Sequence, residues 1–130
     1  MAARGTQKTY AIPHTHIFQP QGRIRLGTIY FLRSEYGVKI GRTVYLKTRM
    51  LEYRSLYPFP WKLFHHFTTI YMFEAEYWLH RLFQSQRAYV PPMPQSVEWF
   101  NLDDDQINWI VNTFEINPGT TCTCRNDLAI

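Results

Sequence analysis

The chain has 130 residues, 45% hydrophobic and 18% charged, values that exclude global disorder and suit one core rather than two. Its net charge of +4 is unevenly placed: 13 of 14 Lys/Arg but only four of ten acids precede residue 95, leaving +9 there and −5 beyond. No apolar run reaches the ~18 residues of a bilayer span. No signal-peptide h-region opens the chain, so an intracellular protein of cytoplasm or nucleoid/nucleus is expected, neither secreted nor membrane-bound.

Arg outnumbers Lys ten to four, which suits bidentate contact with phosphate, although a merely solvated basic surface reads the same way. The nine Tyr, nine Phe and four Trp fit either a core of large side chains or a platform for stacked bases. Residues 1–22 lack helical or strand periodicity and read as a flexible arm, with His14 and His16 as an exposed loop pair. A folded domain is expected over 23–114 and a loose tail over 115–130. Cys122 and Cys124 in that tail are too close to pair readily and read as free thiols of a reducing compartment.

Thr28–Arg33 and Gly37–Gly41 are β-branched and aromatic stretches joined by a short link, so they predict an antiparallel hairpin. If Ile29 faces Ile40 and Phe31 faces Val38, alternation sets Tyr30 opposite Lys39 on the other face. Thr43 is the expected N-cap of a helix ending before Pro58, with Leu46, Met50, Tyr53 and Tyr57 facing the core and Arg49 beside them. Trp61–Ile70 reads as a third strand. A second helix is expected over 73–86, with the stripe Met72, Glu76, Leu79 and Phe83. Val97–Phe100 is a short strand or turn behind the Pro-rich stretch 91–94. Asp103 and Gln106 then form a capping box for a last helix, whose Ile107, Ile110, Val111 and Phe114 face the core. The row Asp103–Asp105 complements that helix's dipole and need not hold a metal.

One member of the second helical stripe is a carboxylate. A buried charge is costly without a partner, so Glu76 must either shift its pKa or meet a cation. His80, four residues on, can seal the helix against the sheet as an ion-pair partner. A metal or substrate site at Glu76 is the alternative.

The words Thr28-Ile29-Tyr30 and Val38-Lys39-Ile40-Gly41-Arg42-Thr43, in an order of hairpin, helix with Arg49, strand and helix with Glu76, resemble the GIY-YIG nuclease superfamily. The likeness is to a branch, common in phage and mobile-element proteins, that reads K-I-G for Y-I-G. That branch also carries a Glu with a His four residues later (Glu76, His80) and a Glu-Trp-Phe segment (Glu98-Trp99-Phe100). The resemblance spans residues 27 to about 112. It implies an α/β (α+β) fold: a small three-stranded, mostly antiparallel sheet flanked by helices.

It implies a phosphodiester-cleaving endonuclease acting on nucleic acid, DNA first, as a monomer or homodimer. One Mg²⁺ (or Mn²⁺) would sit on Glu76. Tyr30 would be the general base, Arg49 the phosphate ligand and Lys39 a fourth catalytic group favouring the phenolate. Arg33, Arg42, Tyr53 and His80 would bind substrate. Three positions depart from the pattern: Lys39 replaces the second motif's Tyr, with Tyr36 or Tyr45 as substitutes. Tyr53 stands where many members have His, and Asn101 matches the family's late Asn only loosely. A catalytically inactive module gripping nucleic acid or a host protein is the other reading.

Overall fold

The computed structural model describes residues 24–114. The arm of residues 1–22, the tail of 115–130, both His14 and His16, and Cys122 with Cys124 lie outside the described residues. Within them the chain runs β1 (Gly27–Ser34), β2 (Gly37–Thr43), α1 (Leu46–Leu56), β3 (Trp61–Thr69), α2 (Met72–Leu82), a 3-10 turn (Gln84–Gln86), β4 (Trp99–Phe100) and α3 (Asp104–Thr113). The result is an α+β domain whose antiparallel sheet has the order β3-β1-β2-β4. The sheet therefore has four strands rather than three. The fourth is two residues long, too short for a period-2 pattern, and is fixed by pairing Phe100 with Val38 and Trp99 with Lys39.

The first hairpin closes more tightly than its sequence predicts. Ser34 pairs with Gly37 around the two-residue turn Glu35-Tyr36, and Gly37 takes φ +124, which favours glycine. A side chain there would also meet the Phe100 carbonyl oxygen at 2.5 Å. The register consequently slides by two residues: Ile29 faces Arg42, Tyr30 faces Gly41, Phe31 faces Ile40 and Leu32 faces Lys39. A two-residue slide preserves the faces, so Tyr30 and Lys39 share one side of the sheet but are not opposite each other.

Both faces of the sheet are covered. On one, Ile29, Phe31, Val38 and Ile40 pack with Met72, Ala75 and Leu79 of α2, with Phe83 just past its end, and with Ile107, Ile110 and Phe114 at α3. Fully burying a side chain such as Leu79 or Phe83 contributes roughly 1.5–3 kcal/mol, which holds α2 to the sheet. On the other, Tyr30 and Leu32 pack with Met50 and Tyr53 of α1 and with Tyr57, Phe59 and Trp99. A bulge in β3 serves both layers. His65 pairs with Phe31 but Leu63 with Leu32, so Phe64 is passed over. Phe67 then joins the α2 side and Leu63 the α1 side, although both are odd-numbered.

The helix ends differ from expectation in part. Thr43 closes β2 instead of capping α1; its Oγ1 accepts from the Tyr45 amide at 3.2 Å, and α1 starts after Tyr45 without a side-chain cap. β3 stops at Thr69, one residue short of Ile70, and α2 stops at Leu82, with residues 84–86 in the separate 3-10 turn. At α3 the capping box forms: Asp103 Oδ1 accepts from the Gln106 amide at 2.8 Å, and Gln106 Oε1 accepts from the Asp103 amide at 3.0 Å. Val111, expected in the core, lies on the exposed side of α3, and Trp109 is the residue partly buried against the core. No helix among the described residues is long and apolar enough to cross a membrane.

Candidate functional site

Most aromatic side chains are spent on the core. Tyr53 stacks on Tyr57 at 4.7 Å, Tyr57 on Phe59 at 5.3 Å, and Trp99 meets both Tyr57 and Phe59 edge-on at 5.6 Å. Against this aromatic floor lie the sequence's Tyr30, Lys39, Arg49 and Tyr53. The Tyr30 and Tyr53 hydroxyls are 2.5 Å apart, joining β1 to α1. Tyr30 fits because Gly41 lies beneath it: a Cβ at position 41 would overlap the hydroxyl and lie 2.8 Å from Cε1. The glycine of the K-I-G word is thus the space into which the tyrosine of the T-I-Y word lies.

Arg49 completes this group from the solvent side. Its guanidinium sits 5.9 Å from the Tyr53 ring centroid, and hydrogen bonding to Tyr53, followed by the pull of Tyr30, holds its pKa above the ordinary value despite some desolvation. Its Nε also bonds Glu52 Oε1 at 3.0 Å, in a pair with both side chains more than a third exposed. Such a pair is worth only about 0.2–1 kcal/mol, so a phosphate can displace Glu52. An open depression of about 710 Å³, lined by Arg49, Glu52, Tyr53, Ser55 and Leu56, lies directly beside it.

Tyr30 is buried, and burial is the main cause that drives its phenol pKa well above the ordinary value. Proximity to Tyr53 adds to the rise and Arg49 opposes it. Lys39 does not supply the counter-charge that the expected register gave it. Its amine donates to Glu98 and lies 5.4 Å from the Tyr53 ring centroid. Burial pulls the Lys39 ammonium down, but the oxygens of Tyr53, Glu98 and Tyr57 outweigh it and raise the pKa. Tyr57 is in turn pushed up by burial and pulled down by Lys39. Glu98 and Tyr57 are the residues that sequence reasoning missed. The signal was present, since a K-I-G word and a Glu-Trp-Phe word each carry one half of an ion pair that β2–β4 pairing brings together.

Glu76 belongs to a second group, at the same end of β2 but on the α2 side of the sheet. Its stripe is buried as predicted, and Glu76 is 9% exposed. Its partner is Arg42, whose Nη1 donates to Oε1, rather than His80. His80 Nε2 donates to the Ile40 carbonyl at 2.8 Å and stands 3.9 Å from Glu76 Oε2. The Arg42 guanidinium lies 4.7 Å above the Phe73 ring. The two groups adjoin at Gly41-Arg42, one residue beneath the Tyr30 ring and the next holding Glu76. Glu76 makes none of its hydrogen bonds or ion pairs with Tyr30 or Arg49. Arg33 belongs to neither group: it bonds Asp104 Oδ1 at 3.5 Å near the hairpin turn.

Among the described residues no cluster of three or more His, Cys, Asp or Glu could hold a metal ion. The donor set at Glu76 still fits a Mg²⁺-like ion, which takes one or two carboxylates and completes its shell with water and phosphate oxygens.

A four-stranded antiparallel sheet, with a Tyr/Arg group under one helix and a buried Glu of another helix paired to a half-buried Arg of β2, defines an α+β domain with two adjoining polar groups at one strand end. The chain belongs to the T5orf172 domain family, whose match covers residues 27–115. It matches no curated protein and no solved structure.

Proposed function

We propose that this protein is a metal-dependent endonuclease of GIY-YIG type acting on DNA. The observation that carries the reading is the Tyr30–Tyr53 hydroxyl pair with the Arg49 guanidinium against the Tyr53 ring, beside a solvent-open depression. The T5orf172 domain is phage-associated and related to GIY-YIG/HNH-like nucleases, which supports it. Arg49, freed from Glu52, would grip the phosphate through its planar fork and stabilise the charge that develops there. Tyr30 Oη would take a proton from the attacking water, with Arg49 as the neighbour that favours the phenolate. Glu76 would hold the cation, whose chemistry is to stabilise negative charge on the leaving oxygen.

Purified protein with Mg²⁺ should nick or linearise plasmid DNA, and Glu76→Gln should abolish this while moving stability by under about 1 kcal/mol, since Arg42 is open enough to turn to water. Absence of cleavage of DNA, RNA and cyclic nucleotides with any divalent ion would sink the enzyme reading. One observation favours the second reading, a binding module without catalysis: the Tyr30 phenol is buried and its proton strongly held. DNA binding that is unchanged by Tyr30→Phe, with no cleavage, would select that reading.

A further inference from the structure

Glu76 is a buried carboxylate whose hydrogen-bonded counter-ion is Arg42. The other neighbour, His80, directs its Nε2 proton at the Ile40 carbonyl. Arg42 is held loosely by comparison. Its side chain is 40% exposed, with one edge on Glu76 Oε1 and one face on Phe73. A guanidinium on Oε1 disfavours a divalent cation on the same carboxylate, because it takes up part of the acceptor capacity and the two positive charges repel. A phosphodiester, however, offers Arg42 two oxygens in the planar geometry that its fork matches. Once Arg42 turns to a phosphate, Glu76 is left as a buried anion that has lost its hydrogen-bonded counter-ion and keeps only the His80 ring, 3.9 Å away, beside it, a state in which an incoming cation gains most.

We propose that Arg42 is a displaceable counter-ion of Glu76, so that a divalent cation binds this carboxylate tightly only when a nucleic-acid phosphate draws Arg42 away. The inference rests on the metal-ligand role of Glu76 given above and adds the order and coupling of binding. Metal and nucleic acid then favour each other by the same factor, because coupling between two ligands is reciprocal. The unliganded protein is also protected from holding a metal where no substrate phosphate is present.

The experiment titrates Mn²⁺ into the full chain without nucleic acid, followed by the electron-spin signal of free Mn²⁺, for wild type, Arg42→Gln, Arg42→Lys and Glu76→Gln. Arg42→Gln should bind Mn²⁺ about tenfold or more tightly than wild type. Arg42→Lys, which keeps the charge, should stay within a few-fold of wild type. Glu76→Gln should remove the site in either background. In parallel, fluorescence anisotropy with a short DNA duplex should show Mn²⁺ tightening wild-type binding by a similar factor and leaving Arg42→Gln nearly unaffected. Thermal melts guard against misfolding: Mn²⁺ should raise the Tm of Arg42→Gln more than that of wild type. If Arg42→Gln binds Mn²⁺ no better than wild type, yet Glu76→Gln still abolishes binding, the counter-ion role is wrong and the metal role stands. If no Mn²⁺ binding in any variant depends on Glu76, the metal role fails and the inference fails with it.

Discussion

The ion pair of Lys39 and Glu98 should respond unequally to the loss of its two halves. The Lys39 side chain is 3% exposed, whereas that of Glu98 is 40% exposed. Glu98→Gln leaves a desolvated ammonium facing a neutral amide. Breaking a fully buried pair costs about 3–5 kcal/mol. With Glu98 part-solvated and the Gln oxygen still able to accept a hydrogen bond, about 2 kcal/mol is expected, or roughly 10 °C in Tm for a domain of this size. Lys39→Met removes the buried charge, fills a similar volume and releases Glu98 to water. It also loses the cation–π contact with Tyr53, so the net change should stay within about 1 kcal/mol of wild type. In the double variant Glu98→Gln should add almost nothing to Lys39→Met, giving a coupling energy near 2 kcal/mol. Urea unfolding followed by circular dichroism, with common m-values, supplies all four numbers. The reasoning is refuted if Lys39→Met costs as much as Glu98→Gln, or if the two changes add.

Two further outcomes test the Tyr30 group. Gly41→Ala should cost about 1–3 kcal/mol by overpacking against the Tyr30 ring, and thermal melts should show this cost shrinking in a Tyr30→Ala background, where the ring is gone. A phenol whose folded pKa is raised contributes stability that is present below the unfolded value near ~10 and is lost as pH rises towards the folded one. Stability should therefore fall by about 1 kcal/mol between pH 10 and 11 on account of Tyr30. Tyr30→Phe, compared by urea unfolding at pH 8, 10 and 11, should lack that part of the decline; an identical decline in both proteins would count against a strongly held proton.

Period and composition alone were enough to place the first hairpin, the three helices, the third strand and the burial of Glu76. These are local properties: Met72, Glu76, Leu79 and Phe83 lie on one helix face whatever covers them. The capping box at Asp103 was legible for the same reason, because both partners lie within one turn. Contact partners were not legible. Which residue faces Tyr30 depended on a two-residue turn, and Gly41 rather than Lys39 took the place. Which cation meets Glu76 depended on how β2 lies under α2; a helix pattern offers His80, while the sheet presents Arg42. Lys39 and Glu98 are 59 residues apart, joined by a two-residue strand with no periodicity to announce it. Sequence determined most of the buried stripes, Val111 being an exception, because burial follows from spacing along one element. Only the tertiary structure decided what each buried charge would touch, because that follows from the register between elements distant in the chain.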